Sequence, residues 1–205
     1  MSKSDKKQKS NLKKGLRDWG IILGIVAILY VTGLHTNVIG TMQRAMLWTG
    51  FFDAKPDITS MDGPELTSRD FSFRMRTNED ELVQLSDFRD SVTFINIWAS
   101  WCPPCIAEMP TIETLYSDVQ EHEDIQFIML SMDEERQAAD RFMNNDRYTL
   151  PYHFPESALP EAFRASQIPR TYVISPDGQI VYKKEGLADY SSPHFRDFLI
   201  DLADS

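Results

Sequence analysis

The sequence predicts an α/β domain with a mixed central sheet and helices on both faces, preceded by one transmembrane helix. Three observations carry this. Val92–Trp98 is an apolar, β-rich run of the kind found in a strand buried on both faces, and at Cys102 it turns into a helical pattern. Strand-like and helix-like stretches then alternate to the end of the chain. Far upstream, Trp19 to Leu34 carries no charge at all.

In chain order, residues 1–18 form a basic arm, with seven Lys/Arg (Lys3, Lys6, Lys7, Lys9, Lys13, Lys14, Arg17) against Asp5 and Asp18. The uncharged run after it makes about 24 Å of helix. His35 to Ile39 extend it toward the roughly 30 Å of a hydrocarbon core. Trp19 and Tyr30 suit the two interfaces. The run is longer than the apolar part of a cleavable signal peptide, and no Ala-x-Ala-like site follows, which favours an uncleaved signal anchor over 19–39. The positive-inside rule then keeps the arm in the cytoplasm and exports the rest. Residues 38–52 are apolar at roughly helical spacing, interrupted by Gln43 and Arg44. Two placements are open for them, the outer membrane interface or the surface of the following domain. Ala54 to Pro64 reads as linker, so that 40–64 is an interfacial segment and linker, and 65–205 is the folded domain.

Within that domain Phe71, Phe73 and Met75 alternate with polar residues, and after the turn at Thr77 to Glu81 the alternation resumes at Val83 and Leu85, predicting a β-hairpin. Ser86 and Asp87 cap a short helical turn before the strand Val92–Trp98. The helix after Cys102 runs through Ile106, Met109, Ile112, Leu115 and Tyr116 to Val119. Ile125–Ser131 is a second apolar strand, and a helix from about Glu134 to Asn144 follows with Asp133 as its N-cap. Residues 146–160 are irregular, with a short strand at Tyr152 to Phe154. A brief helix, Glu161 to Ser166, precedes a hairpin of Thr171–Ser175 and Ile180–Glu185 around Pro176-Asp177-Gly178. Ser192-Pro193 opens the last helix, His194 to Leu202. There is no internal repeat and no low-complexity segment.

The net charge of −10 is unevenly spread: outside the arm, 14 basic residues face 29 acidic ones. So acidic a body argues against nucleic acid as a partner.

The chemistry centres on Trp101-Cys102-Pro103-Pro104-Cys105, which holds the only two cysteines of 205 residues. A zinc site would need about two further ligands, and the four histidines are scattered singly. A disulfide closing so short a loop restricts the unfolded chain little and would be a poor staple. A dithiol that cycles between reduced and oxidised states accounts for the spacing and the context together. Cys102 sits where a strand delivers the chain to a helix N-terminus, and the free amides and the helix dipole there stabilise a thiolate. Pro103 and Pro104 carry no N–H and remove two of those donors, so the predicted lowering of the Cys102 pKa is modest.

Trp98-Ala99-Ser100-Trp101-Cys102-Pro103-Pro104-Cys105, then Glu108-Met109-Pro110, then Ile168-Pro169 before a Pro-Asp-Gly hairpin, resemble a thioredoxin-fold protein. More narrowly, they are similar to the membrane-anchored extracytoplasmic TlpA/ResA/CcmG group. The resemblance covers about 65–205 together with the anchor plan. It implies that Cys102 is the nucleophile toward a client disulfide, that Cys105 resolves the mixed disulfide, and that Glu108 takes part in proton transfer with Cys105. It also implies a cis bond before Pro169, a structural helix-kinking role for Pro110, and a client site bordered by Trp101, Pro103, Pro104, Ile168 and Pro169. Asn96 departs from thioredoxin itself, which has a buried aspartate at that point of the strand. An amide cannot act as a base, so proton management falls to Glu108 or to water.

The resulting expectation is a single-pass protein of a bacterial inner membrane whose exported domain, a monomer, reduces client protein disulfides, apocytochromes c among the possible clients. It needs no cofactor or metal beyond the Cys102–Cys105 couple and draws electrons from a membrane donor protein. The same residues run in reverse would make an oxidase or isomerase. A copper-handling factor using Cys102, Cys105 and a histidine is a further alternative, with His153 and His194 as candidates, both expected at the surface.

Overall fold

The structure is a computed structural model that describes Leu23, Ala54 and residues 63–144, 147–164 and 166–205. The chain divides into Met1–Ile39 and Gly40–Ser205, and the folded domain belongs to the second of these units. The basic arm, the anchor apart from Leu23, and most of 40–64 lie outside the described residues. Among the described residues no helix is long and apolar enough to cross a membrane.

A short helix, α1 (Ser68–Phe71), opens the domain under a capping box in which Thr67 and Asp70 satisfy one another's backbone amides. Strands β1 (Arg74–Thr77) and β2 (Leu82–Gln84) form the expected hairpin, with Met75 opposite Val83. The hairpin starts later than its alternation suggested, because the capping box draws Phe71 into α1. A 3-10 turn, Leu85–Phe88, follows, and here Asp87 receives the Gln84 amide at 2.8 Å. Next come β3 (Val92–Trp98), α2 (Pro103–Val119), β4 (Ile125–Ser131), α3 (Arg136–Met143) and β5 (Tyr152–Pro155). The last elements are a 3-10 turn (Glu161–Phe163), β6 (Arg170–Ile174), β7 (Ile180–Glu185) and α4 (Pro193–Ala203).

The seven strands order as β2-β1-β5-β4-β3-β6-β7. β3 is parallel to β4 and antiparallel to β6, and β5 joins the sheet parallel to β4. The sheet is mixed, as predicted. Every residue of β3 is buried, and its side chains divide by parity. Phe94 and Trp98 meet α2, α3 and α4 through Met109, Ile112, Ala139, Phe195 and Leu199. Ile95 and Ile97 face Phe71, Leu85, Phe163 and Tyr172 on the other side. The three longer helices thus share one face, and α1 with the two 3-10 turns covers the other.

Four local expectations are corrected. α3 starts at Arg136 with Glu135 at its N-cap, not at Asp133, because the Asp133 carboxylate is engaged elsewhere. The helix expected over 161–166 is only the 3-10 turn Glu161–Phe163. His153 is not at the surface: it is 4 % exposed on β5, edge-on to Phe88, and its Nδ1 has no partner among the described residues. Ala54, in the stretch read as linker, is buried and donates its N–H to the Asp189 carbonyl at 2.8 Å.

Candidate active site

The site forms at the end of β3, where the parallel pairing with β4 stops at Trp98 opposite Ser131. Carboxyl ends of parallel strands leave a crevice that loops can line. Cys102 is the N-cap of α2, with Pro103 and Pro104 filling the first turn, where a missing N–H costs nothing. The first amide free to turn toward its sulfur is therefore that of Cys105, which donates to Cys102 Sγ at 3.3 Å. The two cysteines are joined as a disulfide with Cα atoms 5.3 Å apart. Cys105 is fully buried, and Cys102 at 3 % exposure is the more accessible of the pair.

Facing them is the turn before β6. The Ile168–Pro169 peptide bond is cis, and the Ile168 carbonyl oxygen lies 3.8 Å from Cys102 Sγ. The Pro169 carbonyl accepts from Gly186 N–H at 2.9 Å, which ties this turn to the end of β7. Trp101, Cys102, Pro103, Pro104 and Ile168, with Met132, Ser166 and Gln167, line a groove of about 630 Å³. Trp101 is 60 % exposed. A large indole left in water beside a reactive sulfur offers apolar area to a partner.

Behind the disulfide, Glu108 projects from α2 one turn after Cys105 and is completely buried. Asn96 Nδ2 donates to its Oε1 at 2.8 Å, and the Ala188 N–H donates to its Oε2 at 3.2 Å. Burial pushes the Glu108 carboxyl up from 4.5 to about 8, opposed by those two donors. Asn96 also donates to Thr171 Oγ1 at 3.0 Å, and Thr171 is its register partner on β6. The Tyr190 hydroxyl donates to the same oxygen at 2.7 Å. Desolvation raises the Tyr190 phenol well above its ordinary pKa, so it stays neutral.

The structure therefore gathers Trp101, Cys102, Pro103, Pro104 and Ile168 at one groove, while Pro169, next to Ile168, is buried, as are Cys105 and Glu108. His153 and His194 stand apart on β5 and α4, and no group of three metal-ligating side chains occurs among the described residues. Met132, Thr171 and Tyr190 were not singled out from the sequence, and Asp133 was expected only as a helix N-cap. For Met132 and Asp133 a signal existed: they directly follow a parallel strand that ends at Ser131, on the edge of the sheet where sites form.

A disulfide at the mouth of such a crevice, with a second thiol position and a proton-holding carboxyl behind it, is equipped for thiol exchange. Comparisons with known proteins agree. The profile of the Redoxin family matches residues 56–194. The thiol-disulfide oxidoreductase ResA of Oceanobacillus iheyensis is 26 % identical over 177 residues, covering 84 % of each chain. Among solved structures, StoA of Bacillus subtilis superposes with a TM-score of 0.51 at 22 % identity, over 63 % of this chain and 94 % of its own. A thiol:disulfide interchange protein of Chlorobium tepidum gives 0.56 at 18 % identity, over 74 % and 99 % respectively. At such identities the two structures speak for the fold. The family match is broader than the dithiol motif, and it makes this chain a member of the Redoxin family, among its thiol:disulfide oxidoreductases.

Proposed function

We propose that this protein is a membrane-tethered reductase of client protein disulfides, acting on the outer side of a bacterial inner membrane. The observation that carries the reductive chemistry is the Cys102–Cys105 pair at an apolar groove, with the more accessible sulfur toward the Ile168–Pro169 turn and the buried cysteine one helical turn before the buried Glu108 on α2. The uncharged stretch 19–34 behind a lysine-rich arm supports the tether and its orientation. Outside the cytoplasm disulfides persist, so a reductant there has work to do and needs a supply of electrons.

In the reaction, the Cys102 thiolate attacks one sulfur of the client disulfide. A Cys102–client bond forms, and the other client sulfur leaves as a thiolate that takes up a proton. Cys105 then loses its proton and attacks Cys102 Sγ. The intramolecular disulfide forms and the second client sulfur departs. Two electrons and two protons pass to the client. A carboxyl with a pKa of about 8 exchanges protons readily with a thiol near neutral pH, which suits Glu108 to the Cys105 step. Trp101, Pro103, Pro104, Ile168 and Pro169 border the client. A membrane protein that carries reducing equivalents outward would restore the dithiol, and apocytochromes c awaiting haem are one class of client. No cofactor beyond the dithiol enters this scheme.

The reduction potential of the couple, equilibrated against glutathione or dithiothreitol buffers, tests the direction. A value near about −270 mV, the thioredoxin end of this fold's span, supports the reductase. A value near about −120 mV, the DsbA end, would recast the protein as a disulfide donor.

A further inference from the structure

We infer that Asp133 is a positioning residue that holds the two apolar walls of the groove at the spacing a client segment requires, an inference that rests on the reductase reading above. Beyond Trp98 and Ser131 the ladder between β3 and β4 ends, and the two chains separate into loops. One backbone bond spans the start of the gap, Met132 N–H to the Trp98 carbonyl at 2.8 Å. From there the Asp133 carboxylate takes over. It accepts the Ser100 N–H at 3.0 Å and the Ser100 hydroxyl at 2.7 Å, and it also accepts the Ser131 hydroxyl at 2.9 Å. The Asp133 amide returns a bond to Ser131 Oγ at 3.1 Å. Three donors converge on one carboxylate, and hydrogen bonds to an ionised acceptor are about twice as strong as neutral ones.

The placement of this clamp gives it its function. Ser100 directly precedes Trp101, and Met132 lies between the two residues Ser131 and Asp133 that close the clamp on the β4 side. Trp101 and Met132 both line the groove that contains Cys102. Trp101, at 60 % exposure, has little packing of its own to fix it, so its backbone must. Asp133 touches neither cysteine through any of these bonds. Its loss should loosen the walls and leave the dithiol in place.

The test uses the prereduced full-length chain in single-turnover reactions with two oxidants, insulin as a protein disulfide and oxidised glutathione as a small flexible disulfide without a folded protein segment to dock. For Asp133→Asn the insulin concentration at half-saturation should rise about tenfold, the factor that corresponds to one charge-assisted hydrogen bond. The limiting rate and the glutathione rate should stay within about twofold, a minor change on that scale. Ser100→Ala, which removes only the hydroxyl bond, should move the half-saturation in the same direction by less, and it carries the comparison if Asp133→Asn does not fold. An unchanged half-saturation, or a glutathione rate that falls in step with it, overturns the positioning role and leaves the reductase reading standing. A wild-type chain that is oxidised by neither substrate overturns both.

Discussion

Replacing Glu108 with glutamine isolates the most strongly displaced carboxyl of the site. In the fold its pKa is about 8 against an ordinary 4.5, with burial as the main cause. Between those values the folded protein keeps a proton that the unfolded chain has released. Stability therefore falls as pH rises through this window, and the group adds no slope below about 4.5 or above about 8. At about 1.4 kcal/mol per pKa unit, the whole displacement amounts to about 5 kcal/mol, of which about 2 kcal/mol is lost between about pH 6 and about pH 8. Glutamine does not titrate. Its Oε1 can still accept from Asn96, but its amide nitrogen then faces the Ala188 N–H, donor against donor, at a cost of about 1–3 kcal/mol that does not vary with pH. The measurement is urea unfolding of wild type and Glu108→Gln, both oxidised, at several pH values from about 6 to about 8. All other titrating groups cancel in the difference. The variant should gain about 2 kcal/mol on wild type across the series, whatever its offset at the start. Parallel stability profiles would refute the account of Glu108 as a carboxyl that is protonated at neutral pH.

Three further variants test the dithiol roles and a buried histidine. With Cys105→Ser, Cys102 can attack a client but nothing can release it, so a mixed disulfide should accumulate on a non-reducing gel, whereas Cys102→Ser should give none; adducts on Cys105 alone would reverse the two roles. For His153, burial depresses the pKa from 6.5 to about 4, so the unfolded chain binds a proton first and wild-type stability is lost as pH falls through that interval, by about 3 kcal/mol. His153→Phe should remove this acid sensitivity, and equal acid slopes for the two proteins would show that His153 does not stay neutral.

The parts of this fold that the sequence displayed are those decided by local pattern. β3 and β4 are mostly apolar runs because both faces of a central strand are covered. Ser192 and Pro193 announce α4 through cap chemistry alone, and Pro176-Asp177-Gly178 supplies the positive φ of Gly178 that the β6–β7 turn uses. Where side chains choose between local and distant partners, pattern misled. Asp133 has the identity of an N-cap and the right distance from a helix, yet Ser100, 33 residues away in sequence, offers it two donors. His153 reads as a surface residue by type, but β5 enters the sheet between β1 and β4 and takes its side chain inside. Thr171 and Tyr190 carry no signal in a single sequence, since their meeting depends on the β3–β6 register and on the chain after β7 returning over α2.

Asn96 gives that hidden network its sense. It stands 2.8 Å from a buried carboxyl, a separation at which a second carboxyl would compete for the same proton and split the titration in two. An amide only donates there, to Glu108 and to Thr171, and Thr171 Oγ1 is already receiving the Tyr190 hydroxyl. Glu108 itself thus receives two donors, Asn96 Nδ2 and the Ala188 N–H, with no second carboxyl beside it among the described residues. A thiol exchange that begins with a thiolate at Cys102 and ends with one at Cys105 needs one proton moved near the buried sulfur at each turnover. In the reductase proposed above, a single buried carboxyl, raised by desolvation into the range of thiol chemistry, would meet that need without an aspartate on β3.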